Sequence, residues 1–228
     1  MINTKRIVAI IPARKGSKRL KNKNLLKINS KPMIYWSIKA ALNSKYIDKV
    51  ILSTESPEIA KIGKQFGADV PFLRPKKFAT DSSSTEDVMI FTLNKLNKIN
   101  KYEILILLQP TSPMRTSRSI DKSIEMLESK TEVFSVIGMV ENNFHISWCK
   151  LINNNGFIED LVNPKLNKIL KKNYKINGAI YTTYVNKFLK FKKFIIKNKS
   201  LPLIMDKKES IDIDYIEDFE YAKYLMEI

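Results

Sequence analysis

The feature of this sequence that most constrains its fold is the alternation of short apolar runs with segments of helical periodicity. Ile7–Ile11 is a run of strand length, and the segment from residue 32 to 44 places Ile34 and Ile38 on one helical face. Glu103–Leu108 is almost wholly apolar, as expected of a strand covered on both faces of a parallel sheet. Such alternation is typical of βαβ units, so the sequence predicts an α/β fold with a mostly parallel sheet flanked by helices.

The alternation extends along the chain as one domain over residues 1–228, a length that fits a single core. The predicted strands are Ile7–Ile11, Lys49–Leu52, Glu103–Leu108, Val133–Ile137, Gly178–Thr183 and Leu201–Met205, with a short extended piece at Val70–Leu73. The predicted helices span residues 32–44, 57–66, 84–97, 117–129 and 215–228. Residues 142–175 are polar and lack clear periodicity, which predicts an insertion of short strands and loops that projects from the sheet.

The composition argues against two classes of partner. The net charge is +17, but the lysines are spread along the whole chain and the densest stretches carry no nucleic-acid motif, so we expect no nucleic-acid partner. No apolar run approaches the roughly 20 residues that cross a bilayer, and residues 1–6 are not those of a signal peptide. The single cysteine, Cys149, excludes an internal disulfide and fits a reducing compartment. These features predict a cytoplasmic protein without a membrane partner.

A strongly basic loop follows the first predicted strand, which ends at Pro12. The loop contains one glycine, Gly16, and the cations Arg14, Lys15, Lys18, Arg19, Lys21 and Lys23. A buried strand that runs into such a loop can hold a polyphosphate, because glycine permits close backbone approach and the cations offset the phosphate charge. The alternative is a basic surface loop in a lysine-rich protein, and the loop taken alone does not decide between the two.

Two carboxylates near the end of the sequence, Asp212 and Asp214, are separated by one residue. In an extended segment their side chains share a face, with Cα atoms roughly 6.5–7 Å apart, so they can share one hard cation. Mg²⁺ takes oxygen ligands and is usually held by one or two carboxylates together with substrate phosphates. The alternative is a solvated acidic turn in which Asp214 caps the last helix, and the basic loop in the same chain favours the metal.

Polar segments directly follow several of the predicted strands. They are Pro12-Ala13-Arg14, Ser53-Thr54-Glu55, Gln109-Pro110-Thr111-Ser112-Pro113 and, near the end, Asp212-Ile213-Asp214. Ligands of open parallel sheets bind beyond the carboxyl ends of the strands, so these segments are expected to converge on one edge of the sheet.

Together these motifs resemble the acylneuraminate cytidylyltransferase family, in the family's order and spacing. The segments that carry the resemblance are Ile11–Arg14 with Gly16–Arg19 and Lys23-Asn24, Ser53–Glu55, Leu73–Pro75 with Ala79–Asp81, Leu108–Pro113 with Arg115-Thr116, Asn177–Tyr181 and Ser210–Asp214. The resemblance implies a Rossmann-like nucleotidyltransferase fold, a dimerisation insertion at residues 142–175 and a homodimer. It also implies transfer of CMP from CTP to the anomeric hydroxyl of a nine-carbon α-keto sugar acid of the sialic, legionaminic or pseudaminic type, with release of pyrophosphate.

The resemblance implies roles for individual residues as well. The nucleotide is held by Ala13, Arg14, Ser17, Lys23 and Asn24 at the triphosphate and by Arg74, Ser83 and Thr85 at the cytosine or ribose. The sugar acid is contacted by Gln109, Lys175 and Asn177. Mg²⁺ is held by Asp212 and Asp214, which form the catalytic set with Arg14 and Lys23. The family often has Arg-Pro where this chain has Lys175-Ile176, and lysine keeps the charge without the planar fork of arginine.

Several alternatives remain open at the level of sequence. The enzyme could instead activate 3-deoxy-manno-octulosonate or another sugar, or use another nucleotide. A basic nucleic-acid-binding protein would need no paired aspartates, and a catalytically dead scaffold would bind CTP without turnover. Glu55 suits either a nucleotide hydroxyl or a helix cap, His145 suits a sugar contact or structural packing, and Arg115 suits the substrate or a neighbouring subunit.

Overall fold

The computed structural model describes residues 4–163 and 172–227, which form a six-stranded sheet with helices on both faces. The strands are β1 (Ile7–Pro12), β2 (Lys27–Ile28), β3 (Lys31–Pro32), β4 (Lys49–Ser53), β5 (Ile104–Leu107), β6 (Ser135–Glu141), β7 (Lys150–Ile152), β8 (Ile158–Asp160), β9 (Tyr174–Tyr184) and β10 (Ser200–Ile204). The helices are α1 (Met33–Leu42), α2 (Pro57–Gln65), α3 (Thr85–Leu96), α4 (Ser117–Glu128), α5 (Val185–Phe191) and α6 (Ile216–Glu227).

The main sheet has the strand order β10-β6-β9-β5-β1-β4 and is mostly parallel, as predicted. The exception is β9, which is longer than the predicted strand Gly178–Thr183 and runs antiparallel to both of its neighbours. Its register with β6 shifts between Ile137 and Met139, at Gly138. A Cβ atom at Gly138 would lie 2.6 Å from Asn177 Oδ1, so glycine is required for this close approach. The predicted extended piece Val70–Leu73 forms no strand, and an isolated bridge pairs Ile51 with Asp69, the residue just before it.

The two faces of the sheet are covered by different helices, which gives a three-layer arrangement. Each face carries its own cluster of buried apolar residues, and alternate residues of β1 belong to different clusters. Ile7, Ala9 and Ile11 lie on one face, and Val8 and Ile10 lie on the other. Helices α1, α2 and α4 cover the first face, and α3 and α5 cover the second. The sequence did not predict α5, which has seven residues and no side-chain cap.

A third apolar cluster fixes the last helix against the start of α1. It consists of Ile28, Met33, Ile213, Phe219 and Ala222, of which Ile28 belongs to the small β2–β3 hairpin. Ile213 is fully buried in this cluster. The two acidic residues on either side of Ile213 are therefore held beside the basic loop that precedes β2.

Residues 142–163, called the arm below, contain the antiparallel β7–β8 hairpin, whose six strand residues are all exposed. Short strands and loops were predicted here, and residues 164–171 of the predicted insertion lie outside the described residues, as does Ile228 of the predicted last helix. Among the described residues, no helix combines the length and apolar character needed to span a bilayer.

Candidate active site

A cleft of about 730 Å³ opens beyond the carboxyl ends of β1 and β5. It is lined by the basic loop, the segment that leads into α3, the loop after β5, and the acidic pair. The residues are Pro12, Arg14, Ser17, Lys18, Arg19, Leu20, Lys23, Asn24, Arg74, Phe78, Thr80, Asp81, Ser83, Thr85, Val88, Gln109, Pro110, Thr111, Asp212 and Asp214. Three of the four polar segments predicted to converge on one edge of the sheet therefore contribute to the cleft, whereas the segment Ser53–Glu55 does not line it.

The basic loop is anchored at both ends and open in the middle. The Ala13 N–H donates to the Ser53 carbonyl at 3.0 Å, which prolongs the pairing of β1 with β4 and buries Ala13. The buried Asn24 amide donates to the Arg14 carbonyl at 2.8 Å and supports the loop from within. Asn22 adopts the left-handed conformation, with φ at 54°, a conformation that Asn tolerates. Gly16 has nothing within 4 Å of the place a Cβ would occupy, so its backbone faces open space.

Asp81 bridges two cations of the basic loop. Arg14 NH2 lies 2.7 Å from Asp81 Oδ1, and Lys18 Nζ lies 2.7 Å from Asp81 Oδ2. The hydrogen bonds from Lys18 and Arg14 lower the pKa of the Asp81 carboxyl. All three side chains are substantially exposed, so these ion pairs are weak enough to be exchanged for another anion.

Asp214 bridges two further cations in the same way. Its Oδ1 lies 2.9 Å from Lys23 Nζ, and its Oδ2 lies 2.8 Å from Arg19 NH1. Lys23 is largely buried, and its ammonium also donates to the Ile213 carbonyl at 2.7 Å. The oxygens of Asp214 therefore face the cleft cations, while the N–H groups of Asp214 and Tyr215 donate to Asp218.

The acidic pair experiences two different environments although the residues are neighbours in one motif. The pKa of Asp214 is lowered, mainly by the hydrogen bond from Lys23. The pKa of Asp212 is raised, mainly by burial and also by the charge of Asp214, although a hydrogen bond from Thr111 opposes this. The Ile213 N–H donates to the Thr111 carbonyl at 2.8 Å, which fixes the strip that carries both carboxylates.

The donor set at the acidic pair suits a hard cation that is shared with a substrate. No cluster of three or more His, Cys, Asp or Glu side chains that could hold a metal occurs among residues 4–163 and 172–227. Asp212 and Asp214 would therefore supply two oxygen ligands, and phosphate oxygens and water the rest, which is the usual arrangement for Mg²⁺. A cation would also relieve the cost of keeping the buried Asp212 carboxylate ionised, so the residues present fit the metal.

The far side of the cleft is built around Arg74, which is 4% exposed. Arg74 NH2 pairs with Glu55 Oε2 at 3.2 Å, and its buried Nε has no hydrogen-bond partner. Glu55 Oε1 accepts from the Lys15 N–H at 2.7 Å. The helix cap that was one possible role of Glu55 is provided by Ser56 instead, which accepts from the Ile59 N–H. Glu55 thus ties the basic loop to Arg74, a function that the sequence did not reveal.

The other two residues predicted to contact the nucleoside lie on the segment that enters α3. Ser83 Oγ donates to the Lys77 carbonyl at 2.9 Å and accepts from the Thr80 N–H at 3.2 Å, which stabilises the turn before the helix. Thr85 is the first residue of α3, and the preceding Ser84 caps the helix. Both Ser83 and Thr85 line the cleft.

A second cavity, of about 630 Å³, adjoins the cleft, and Asp212 lines both. Lys175 and Asn177 line this second cavity rather than the cleft, together with Lys207 and Lys208. The buried Asn177 amide is engaged within the protein, because it donates to Ser210 Oγ at 2.9 Å and accepts from the Ala179 N–H at 3.0 Å. The structure therefore divides the predicted sugar-contact residues between two adjoining cavities.

Gln109 lies in the cleft close to the boundary between the two cavities. A Cβ atom at Gly178 would lie 2.8 Å from Gln109 Oε1 and 3.5 Å from Asp212 Oδ2. The φ angle of Gly178 is 75°, so glycine is needed there for its backbone conformation as well as for space.

Two residues for which the sequence left alternative roles, Arg115 and His145, do not line the cleft. Arg115, which was expected to reach the substrate or a neighbouring subunit, is buried with an exposure of 3% and does not itself line the cleft. His145 Nδ1 accepts from the Ser147 N–H at 3.3 Å at the start of a short turn in the arm, which agrees with structural packing.

The fold and the cleft define a nucleotide-binding α/β transferase. Residues 8–226 match the family model described as Cytidylyltransferase, and the chain belongs to this family. It is 36% identical to the CMP-N,N'-diacetyllegionaminic acid synthase of Legionella pneumophila, over 98% of this chain and 97% of the relative.

A second relative and a solved structure are also similar to this chain. The chain is 36% identical to the N-acylneuraminate cytidylyltransferase of Escherichia coli O18:K1:H7 over 95% of its own length, and it spans about half (51%) of that longer relative. A solved structure of CMP:2-keto-3-deoxy-manno-octonic acid synthetase complexed with CTP superposes with a TM-score of 0.75 at 19% identity, covering 97% of this chain and 98% of that one. At this identity the likeness shows the fold alone.

Proposed function

We propose that this protein transfers CMP from CTP to the anomeric hydroxyl of a nine-carbon α-keto sugar acid of the sialic, legionaminic or pseudaminic type. The observation that carries the proposal is the meeting of the basic loop with Asp212 and Asp214 in one cleft, beside a second cavity that Asp212 also lines. The cleft provides room and cations for a nucleoside triphosphate, and the second cavity provides room for the acceptor. The names of the relatives specify cytidylyl transfer to sugar acids of this class.

In the proposed reaction the anomeric oxygen forms a bond to the α-phosphorus and the bond from that phosphorus to the bridging oxygen of pyrophosphate breaks. Pyrophosphate leaves with the bonding electrons, and the hydroxyl proton is released. Phosphoryl chemistry of this kind depends chiefly on positioning and charge neutralisation. Arg14 and Lys23, now paired with aspartates, would exchange these partners for phosphate oxygens.

Asp212 and Asp214 would hold Mg²⁺, which supplies charge neutralisation at the phosphate oxygens when it is bound. The raised pKa of Asp212 supports this role, because burial raises it by more than the hydrogen bond from Thr111 and the charge of Lys23 lower it. The position of Asp212 between the two cavities would bring the acceptor hydroxyl and the α-phosphate together. Lys175, at the rim of the second cavity, would attract the carboxylate of the sugar acid.

A homodimer formed through the arm belongs to the same proposal. Trp148, Ile152, Phe157 and Ile158 are 76%, 77%, 69% and 74% exposed. A monomer gains nothing from such a large uncovered apolar surface, whereas a two-fold symmetric contact with a second copy would bury it. A cytoplasmic location also belongs to the proposal, since the single free cysteine, Cys149, suits a reducing compartment.

The test of this function is pyrophosphate release by the purified protein with CTP and Mg²⁺. The acceptors are sialic, legionaminic, pseudaminic and 3-deoxy-manno-octulosonic acids, each repeated with ATP, GTP and UTP. CTP without an acceptor controls for hydrolysis. We expect release with CTP and a nine-carbon acid, and its absence with every such acid would reject the proposal. Release with the eight-carbon acid alone would transfer the function to that substrate, and tight salt-dependent binding to unrelated duplexes would favour a nucleic-acid partner.

A further inference from the structure

Arg115 is a buried cation that the proposed reaction does not use. Its side chain is 3% exposed, and burial lowers the pKa of its guanidinium to about 9. The other buried arginine of the site, Arg74, forms an ion pair with Glu55. Arg115 instead donates to neutral acceptors, and the more distant charge of Asp212 only partly offsets the effect of burial. Burying a charge in this way costs several kcal/mol in general, roughly the range found for single buried ions, so the position requires a reason.

The three acceptors of Arg115 belong to three separate segments. Nε donates to the Ala179 carbonyl on β9 at 2.8 Å, and NH1 donates to Ser37 Oγ on α1 at 2.7 Å. NH2 donates to the carbonyl of Gln109, in the loop that follows β5. One planar guanidinium therefore joins a helix, a strand and a cleft loop, which is a task that suits the rigid fork of arginine and not the single ammonium of lysine.

Two of these three segments carry atoms at the boundary between the cleft and the second cavity. Gln109 lines the cleft, and Gly178 directly precedes Ala179. The space beside Gly178 is shared by Gln109 Oε1 and Asp212 Oδ2, at 2.8 Å and 3.5 Å from the position of an added Cβ. A shift of the loop after β5 would therefore move Gln109 relative to Asp212, and a shift of β9 would move Gly178 relative to both side chains.

We propose that Arg115 is a positioning residue, which holds Gln109 and Gly178 against Asp212 and thereby sets where the acceptor lies relative to the nucleotide. This inference rests on the proposed function, since the acceptor is the sugar acid proposed there. The guanidinium makes its hydrogen bonds on the acceptor side of the cleft. The Arg14–Asp81 and Lys23–Asp214 pairs, where the triphosphate is proposed to lie, have no contact with the guanidinium.

The test compares Arg115→Lys with Arg118→Met, which removes an exposed arginine from the same region at helix α4. Initial rates are measured with CTP and each sugar acid varied separately, and CTP binding is measured by calorimetry without an acceptor. For Arg115→Lys we expect kcat/KM for the sugar acid to fall roughly 100-fold, as a small misplacement of reacting groups can cause. The Kd for CTP should change less than about twofold, because the guanidinium does not contact the pairs where the triphosphate is proposed to lie. Arg118→Met should match the wild type.

A purely structural role predicts a different pattern. It would lower the melting temperature of Arg115→Lys while leaving the acceptor kinetics of the folded fraction unchanged, or it would weaken CTP and acceptor equally, and either result overturns the proposal. If Arg115→Lys does not fold, Ser37→Ala removes the acceptor of Arg115 NH1, together with a long hydrogen bond of 3.5 Å from Ser37 Oγ to the Gln109 carbonyl. This variant should lower kcat/KM for the sugar acid about threefold. Unchanged kinetics in that variant would also overturn it.

The outcome separates this inference from the function on which it rests. Wild-type protein that turns over no sugar acid removes the proposed function and the role of Arg115 with it. Wild-type turnover together with unaltered acceptor kinetics in Arg115→Lys removes only the role of Arg115.

Discussion

The cleft and the arm differ in whether their side chains have partners within one copy of the chain. In the cleft most charged groups meet an opposite charge from a distant segment, as Asp81 does with Arg14 and Lys18. In the arm the strand residues are all exposed, and apolar side chains such as Ile152 and Phe157 have no cover. The cleft is therefore complete in a single copy of the chain, whereas the arm has an unsatisfied apolar surface.

This contrast teaches that the two regions depend on different partners. The ion pairs of the cleft are exposed enough to exchange for a ligand of higher charge, so a small anion is the expected partner. Burying apolar surface lowers the free energy in proportion to the area removed from water, so we expect another protein surface to cover the arm. The predictions below separate the two regions by changing one and measuring the other.

The largest expected effect is on turnover, in Asp214→Asn. The amide cannot provide the charge that a metal requires, so kcat should fall roughly 1000-fold, a loss typical of the removal of one electrostatic stabiliser. Steady-state pyrophosphate release measures it. Asp206→Asn, an exposed aspartate of the preceding segment, is the matched control and should behave as the wild type. A kcat within tenfold of the wild type would show that Asp214 does not carry the metal.

The next effect is on assembly, in Ile152→Asp. A charge at the centre of the proposed contact should weaken self-association roughly 30-fold, as changes at interface hot spots do. Analytical ultracentrifugation measures the association, and Asn154→Asp adds the same charge to the same hairpin without removing apolar surface. CTP binding should be unchanged in both variants. A dimer of undiminished strength in Ile152→Asp would place the contact elsewhere and break the comparison.

A smaller effect concerns stability, where the two cleft aspartates should respond in opposite directions. The lowered pKa of Asp214 means that its ionised form stabilises the fold above its unfolded pKa, so Asp214→Asn should lower the melting temperature at pH 7 by a few degrees, about 2–4 °C per kcal/mol. The raised pKa of Asp212 means that its ionised form destabilises the fold, so Asp212→Asn should raise the melting temperature.

The pH dependence of these two differences supplies a second readout. The stability from Asp214 is lost as the pH falls through its depressed folded pKa, so the deficit of Asp214→Asn should persist to about pH 4. The penalty from Asp212 is relieved as the pH falls through its raised folded pKa. As the pH is lowered, the gain of Asp212→Asn should therefore begin to decrease before the deficit of Asp214→Asn does. Scanning calorimetry between pH 7 and pH 4 measures both, and shifts of the same sign at pH 7 would contradict the account.

The smallest effect is expected in Asp81→Asn, which releases Arg14 and Lys18 from their common partner. Because exposed ion pairs contribute about 0–1 kcal/mol, CTP should bind about two- to fivefold more tightly. Calorimetric titration with CTP measures this, and Glu58→Gln, which releases Lys15 outside the cleft lining, serves as the control. Weaker CTP binding by Asp81→Asn would mean that Asp81 orients Arg14 for the nucleotide.

The sequence predicted those parts of the site that depend on short local patterns of residues. The first strand and the basic loop could be predicted because an uninterrupted apolar run ends at Pro12 and a segment rich in cations follows it directly. The spacing of Asp212 and Asp214 predicted that both carboxylates share a face, and both line the cleft. The sequence predicted only that the strands are mostly parallel, since no local pattern specifies that β9 runs antiparallel to its neighbours.

The parts that the sequence did not predict depend on contacts between distant segments. Arg14 and Asp81 are 67 positions apart, and Arg115 reaches Ala179 across 64 positions. Neither contact leaves a periodic signal, because only one side chain in each segment takes part. The role of Glu55 was ambiguous for the same reason, since a carboxylate before a helix resembles a cap until its partners are known. The functional chemistry was therefore easier to predict than the residues that position it.

The measurement that tests the central claim most directly is a crystal structure of the protein with CTP and Mn²⁺, which has an anomalous signal and substitutes for Mg²⁺. The account predicts the triphosphate against residues 14–24 with Asp81 displaced from Arg14, and the anomalous peak at Asp212 and Asp214. A triphosphate bound outside this cleft, or an anomalous peak away from both aspartates, would contradict it.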